Sequence, residues 1–163
     1  MKQALSIKNE GLLLRPLNEK DLGDTLNWRN RDGVRQFFFY DKLISMDEHY
    51  RWYESYLGKD TDVVLIGESF GEKVGQLAVY DIDLNKGKAE IGRFVVSPDF
   101  AGKGMMRRLI ILLCDACAAY GLKELYLEVL TSNERAIRLY DSIGFTIIDK
   151  TPTAIKMSKV LGV

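Results

Sequence analysis

Cysteine, histidine and proline are scarce in this chain of 163 residues, which has two, one and three of them, and neither sign of charge is in excess, since 23 basic side chains face 23 acidic ones. One histidine and two cysteines leave too few nitrogen and sulfur donors for a tetrahedral zinc site, so no metal is expected. Cys114 and Cys117 are spaced as Cys-x-x-Cys, but they lie within the apolar run 109–119. Redox pairs open a helix, so these two read as buried core thiols. The charge balance excludes a global field that would favour nucleic acid or an anionic membrane. No apolar run is long enough to cross a bilayer, and the first ten residues lack the continuous apolar stretch of a signal peptide. A cytoplasmic protein with neither nucleic-acid nor membrane partners is expected, and any anion must be held by a local site. No repeat, low-complexity tract or linker divides the sequence, so one domain over residues 1–163 is expected.

What is there is an alternation of strand and helix patterns. A short strand reads at 11–16 and a helix at 19–29 with Asn18 as cap. A second helix reads at 46–57, where Ser45 and Glu48 form a capping box. Strands follow at 63–70, 74–82 and 89–96, the first turn falling on Gly71-Glu72. A long helix over 103–120 stops at Gly121, and a strand at 123–130, a helix at 134–142 and strands at 145–149 and 153–159 close the chain. This order is that of a mixed α/β (α+β) layered domain, with strands 89–96 and 123–130 parallel across a helical crossover.

The segment Ser97-Pro-Asp-Phe-Ala-Gly-Lys-Gly-Met-Met106 runs from an apolar strand into the long helix. A glycine-bearing loop at a helix start leaves amides free, and the macrodipole favours negative charge there. Lys103, Arg107 and Arg108 crowd the same end, an arrangement that an anion would offset, so a phosphorylated ligand is expected at this loop. Farther on, Asn133, Ile137 and Tyr140 share one helix face, so Asn133 and Tyr140 can serve one ligand; the plainer roles are a cap and a core ring.

These two segments resemble the motifs of the GNAT acyl-CoA N-acetyltransferases. Val96-Ser-Pro98-Asp99-Phe100 is similar to the strand end that precedes that family's pyrophosphate loop, and Asn133, Ala136, Leu139, Tyr140, Gly144 and Phe145 match its later motif. Ala101 and Met106 depart from it, standing where the loop usually carries Gln or Arg and Gly or Ala. The resemblance implies the GNAT fold, a mixed sheet whose parallel pair splays at an acyl-CoA site, and acetyl-CoA as co-substrate. It places Val95, Val96, Ala101, Gly102, Lys103, Gly104, Met105, Met106, Arg107, Asn133 and Tyr140 at the coenzyme. It also implies direct attack of a primary amine on the thioester, with Tyr140 as proton donor to the leaving thiolate.

Glu128 and Glu90 are rival bases. Alternation puts Leu125, Leu127 and Val129 on one face and Tyr126 with Glu128 on the other, and a glutamate inside a central strand needs a reason. A surface ion pair with Lys123 or Arg93 is the plain reading of either. For the acceptor, Trp28, Arg29, Asn30 and His49 resemble residues of the branch that acetylates nucleotide-linked amino sugars. Aromatics would stack on sugar or base and Arg29 would take a diphosphate. Protein N-terminal acetylation of the ribosomal type is the second reading, and a non-catalytic acyl-CoA sensor the third. The resemblance leaves monomer or homodimer open.

Overall fold

Residues 63–66 are apolar without alternation, and successive side chains of a strand face opposite sides, so both sides of this strand must be covered. The computed structural model, which describes residues 2–162, meets that demand with an eight-stranded sheet between helical layers. β1 (Ile7–Asn9) and β2 (Leu12–Pro16) precede α1 (Leu22–Asn30) and α2 (Met46–Leu57). A meander of β3 (Val63–Ser69), β4 (Glu72–Asp83) and β5 (Lys88–Val96) follows. Then come α3 (Met105–Tyr120), β6 (Glu124–Leu130), α4 (Glu134–Ile143), β7 (Thr146–Lys150) and β8 (Ala154–Val160). The spatial order is β1-β2-β3-β4-β5-β6-β8-β7, with β5 and β6 parallel and the other neighbours antiparallel.

The alternation sorts side chains between two cores. Val63 and Leu65 of β3, with Leu77 and Val79 of β4, pack with Leu109, Ile110 and Leu113 of α3. Val64, Ile66 and Ala78 point the other way, to Leu22 of α1 and Tyr56 of α2. Ala89 and Ile91 of β5 and Leu125, Leu127 and Val129 of β6 lie on the α3 side, so Glu90, Tyr126 and Glu128 project toward the α1–α2 side. Cys114 and Cys117 are buried thiols, as their apolar setting implied.

The structure departs from the sequence reading at several ends. β1 was not anticipated, since three residues with one apolar side chain carry no period; it is held by its pairing with β2. The β3–β4 turn is centred on Phe70-Gly71 rather than on Gly71-Glu72, and both residues take positive φ, as a tight hairpin turn requires. The first helix opens with a 3-10 turn at Glu19–Asp21, and α3 begins at Met105 because Gly104 is left-handed. α2 matches its expected bounds, with the Ser45–Glu48 capping box in place.

The α1 layer is fixed to the sheet through Asp21, whose side chain is 1% exposed. Arg15 of β2 grips both its oxygens at 2.8 and 2.9 Å, Lys73 of β4 reaches it at 2.9 Å, and the Asn18 amide donates to it at 2.9 Å. Arg15 also donates to Glu68 of β3 at 2.5 Å. Burial alone would raise the Asp21 carboxyl, but Arg15, the Asn18 amide and Lys73 together bring it down to about 2. An unfolded aspartate titrates near ~3.9, so this contribution is complete above about pH 5 and is lost as the pH falls toward about 2. Asp21→Asn should cost roughly 3–5 kcal/mol in urea denaturation at pH 7, because it leaves Arg15 and Lys73 without their buried counter-charge. The gap between variant and wild type should close as the pH is lowered toward 2; a gap independent of pH would show that the charge of Asp21 is not what stabilises.

Candidate active site

β5 and β6 pair at Lys88–Glu124, Ala89–Leu125 and Glu90–Tyr126, and then part. The cause lies on β5. Opposite β4, Gly92 aligns with Ala78 and Val95 with Gln76, which inserts one extra residue into β5, and Arg93 there takes φ 53°. Such a bulge bends its strand and unpairs its backbone. Gln76 Nε2 donates to the Arg93 carbonyl at 3.0 Å and so occupies a group lost to the ladder.

The parted strands open a cavity of about 540 Å³, lined by Glu90, Arg93, Phe94, Glu128, Tyr140 and the aromatic segment Phe37–Tyr40. Glu90 is half-buried and accepts from the Tyr80 hydroxyl at 3.1 Å. Its carboxyl is pushed up, chiefly by burial and further by Glu128 across the gap, against the pull of the Tyr80 hydrogen bond. Burial and then Glu90 raise the Tyr80 phenol, so Tyr80 stays neutral and donates. Gly92 makes room for this: a Cβ there would lie 2.5 Å from the Tyr80 oxygen.

Glu128 is solvent-exposed rather than buried. Lys156 is its cross-strand partner, yet that ammonium lies over the Tyr126 ring at 5.2 Å. Among the described residues neither Glu90 nor Glu128 forms an ion pair, with Lys123, Arg93 or any other base. Tyr140 is 8% exposed and packs against Phe94 and Phe145 at ring separations of 5.7 and 6.4 Å. Burial raises its phenol above the ordinary range.

At the glycine loop, Gly102 and Gly104 have φ of 75° and 71°, and nothing lies within 4 Å of where their Cβ atoms would be. Among the described residues the amides of 102–107 make no backbone hydrogen bond except within α3, so a row of donors is left without a backbone partner. That arrangement fits a pyrophosphate. Val95 and Val96 end β5 just before it, Ala101 is exposed, Met105 is buried, and Met106 turns its methyl toward Gly75 of β4. The three nearby cations do not converge on the loop. Lys103 lies over Phe100 at 5.6 Å, Arg107 reaches Ser142 Oγ at 3.3 Å near the end of α4, and Arg108 borders a separate hollow with Asp115. Asn133 caps α4, accepting from the Ala136 amide at 3.3 Å, so its side chain holds the helix while Tyr140 faces the cavity.

The residues expected at the acceptor divide. Trp28, at 7% exposure, is withdrawn into the protein and does not line this cavity. Arg29 donates to the carbonyls of Tyr40 and Lys42, and Asn30 bonds both the amide and the carbonyl of Ile44, so the pair straps segment 40–44 over the cleft. His49 meets Thr25 Oγ1 at 3.1 Å and stacks on Trp52 at 5.3 Å. Burial and then Arg29 lower its pKa. Tyr80, Arg93 and Phe94 were missed; a glycine within the apolar run 89–96 was the signal for a bulge.

With this geometry in hand, the chain matches the family described as "Acetyltransferase (GNAT) family" over residues 26–145. It is similar to the spermidine N(1)-acetyltransferase of Escherichia coli (strain K12), with 29% identity over 135 residues, 82% of this chain and 72% of that one. It is also similar to the [ribosomal protein bS18]-alanine N-acetyltransferase of Salmonella typhimurium, 35% identical over 74 residues, 45% of this chain and 49% of that one. The crystal structure of spermidine N-acetyltransferase from Vibrio cholerae in complex with CoA and spermine superposes with a TM-score of 0.83 at 23% identity, covering 94% of this chain and 97% of that one, and so supports the fold.

Gly92→Ala should displace the Tyr80 hydroxyl, cost about 1–3 kcal/mol in thermal or urea unfolding, and change the pH at which Glu90 titrates in a carboxylate NMR titration. A Glu90 titration identical to wild type would mean that Tyr80 does not govern it.

Proposed function

The chain belongs to the GNAT acetyltransferase family, and within it we propose that it acetylates the terminal primary amine of an aliphatic polyamine of the spermidine class. As a family member it is an N-acetyltransferase with acetyl-CoA as acetyl donor. The observation that carries the acceptor is the pair Glu90 and Glu128, two carboxylates on neighbouring strands that face one aromatic cleft and, among the described residues, form no ion pair with Arg29 or Arg93 of the same cleft. Ammonium groups of a polyamine supply the missing counter-charge, and its methylenes lie along the Phe and Tyr rings. The spermidine acetyltransferase relative points the same way, and away from the nucleotide-linked amino sugar expected from the sequence. Likeness to the ribosomal-protein enzyme spans less than half of the chain.

In the mechanism we infer, the amides of 102–107 hold the pyrophosphate of acetyl-CoA, and the thioester reaches the gap between β5 and β6. Bound acetyl-CoA supplies an activated acyl group. Glu90 takes a proton from the attacking nitrogen, for which its raised pKa suits it. The N–C bond forms, the C–S bond breaks, and the thiolate leaves toward Tyr140. A phenol held protonated by burial is a weak acid, so its role is to donate a hydrogen bond to sulfur as charge develops.

Thiol release from acetyl-CoA tests the acceptor. Spermidine should give a kcat/KM at least about tenfold above Ser- or Ala-starting peptides and above a 4-amino-dideoxy sugar nucleotide, a difference of ~1.4 kcal/mol. The opposite ranking would overturn the polyamine assignment. Tyr140→Phe should lower kcat by about 10²-fold with little change in coenzyme affinity by calorimetry, and an unchanged kcat would remove Tyr140 from the chemistry.

A further inference from the structure

Behind the aromatic strap lies a second chamber of about 320 Å³. It shares Arg29, Phe38, Tyr40, Ile44 and Arg93 with the acceptor cleft, so the two are adjoining compartments. Their charge balance differs, because in the acceptor cleft two glutamates offset the two shared guanidinium groups. Glu90 and Glu128 line the first and not the second. The second holds two guanidinium groups against one carboxylate, Glu48, which is engaged by the amide and hydroxyl of Ser45 at 3.4 and 3.1 Å. His49 adds an imidazole whose proton affinity is lowered by burial and by Arg29.

The guanidinium groups also differ. Arg29 is committed to the strap carbonyls and to Asn30 Oδ1. Arg93 lies over the Tyr80 ring at 4.6 Å, forms no ion pair among the described residues, and has a buried Nη1 with no hydrogen-bond partner. Arg31 Nη1 is likewise without a partner, but Arg31 lines neither compartment. A buried charged donor without an acceptor is a standing penalty, and at Arg93 it coincides with a positive φ in a non-glycine residue. Nη1 itself has no exposed surface, so a ligand in the chamber meets the guanidinium through the part that lines it, where the charge has no ion-pair partner among the described residues.

We propose that Arg93 and the second chamber form an anion subsite that binds a carboxylate or phosphate group beside the acceptor cleft. A guanidinium presents forked donors suited to either group, Arg29 contributes charge without giving up its tether, and Trp52, Phe38 and Tyr40 wall the site with apolar surface. An ammonium is disfavoured there, so the far end of a simple polyamine does not enter. The anion is carried by the far end of an amine acceptor or comes as a separate small ion. The first source rests only on the family's N-acetyltransferase activity and would replace the polyamine by an amine that carries an anion; the second is compatible with a polyamine acceptor.

The experiment has two arms, both with intact protein. In the first, inorganic phosphate and acetate are titrated at constant ionic strength against protein saturated with coenzyme A, so that the glycine loop is filled, and melting is followed. A saturable rise in Tm is expected in wild type, absent in Arg93→Gln and reduced in Arg93→Lys. In the second, kcat/KM is compared for 6-aminohexanoate and hexylamine. An acceptor-borne anion predicts a preference for the carboxylate of about tenfold or more, collapsing toward parity in Arg93→Gln, whereas a separate ion predicts parity together with the Tm rise. The wild-type measurements stand even where a variant fails to fold. No Tm rise together with parity overturns the subsite, as does a rise or preference that Arg93→Gln leaves intact. Failure of every amine to release thiol, alongside a retained Tm rise, would sink the acceptor reading and leave the subsite standing.

Discussion

The separation of β5 from β6 is the constraint on which the rest of the site depends. Parallel pairing lasts for three residues and ends at Glu90, two positions before the bulge begins. Were the pairing continued to Val96, Glu90 and Glu128 would face the α1–α2 layer while Tyr140, which belongs to the core beneath α3, would be sealed on the other side. The gap abolishes that partition. Groups from opposite faces of one sheet line the same cavity, so a thioester arriving from the α3 side can meet an amine arriving from the α1–α2 side. This is how one sheet between two helical layers brings two substrates together without moving a domain.

Keeping a sheet parted has a cost in unmade backbone hydrogen bonds and in the conformation of Arg93. Local devices contain it. Gln76 occupies the stray carbonyl, and Gly92 admits Tyr80, which in turn holds Glu90. The larger support is remote. Asp21, gripped by Arg15 and Lys73, binds the start of α1 to β2 and β4, on the half of the sheet where the strands stay paired along their length, with one register shift at Gly67–Glu68. The far end of α1 carries Arg29 and Asn30, which hold the aromatic strap over the cleft. One end of the helix is therefore anchored to the rigid half of the sheet while the other shapes the open half.

Much of this was legible in the sequence, for identifiable reasons. α2 had a capping box and a terminal glycine, so its bounds were written in local hydrogen bonding. β6 alternated cleanly, which placed Tyr126 and Glu128 on the face they occupy. The glycine loop and the α4 motif were read correctly as segments. What could not be read was where side chains went once the helices were placed. Sequence reports proximity along the chain, so it did not show that Arg107 would meet Ser142 near the end of α4 or that Lys103 would lie over Phe100. Trp28 was read as a stacking surface, but the packing of α1 withdrew it. The bulge had one signal, Gly92, within a run that otherwise matched a regular strand; Tyr80 went unnoticed with it, and Arg93 was read only as an ion-pair partner for a glutamate.

The two glutamates pose a conflict that the surrounding charges resolve. Carboxylates that attract an ammonium also stabilise it, and an ammonium cannot attack a thioester. A cleft built from fully ionised carboxylates would bind a polyamine well and activate it poorly. Burial on the α1–α2 side raises Glu90, and the charge of Glu128 across the gap raises it further, so its affinity for a proton moves closer to that of the amine which, in the proposed mechanism, it deprotonates. Exposed Glu128 is then free to hold a distal ammonium in water, where that charge costs nothing to keep. The division between a carboxylate that binds and one that takes the proton follows from their depth in the gap, and the gap follows from one extra residue in β5.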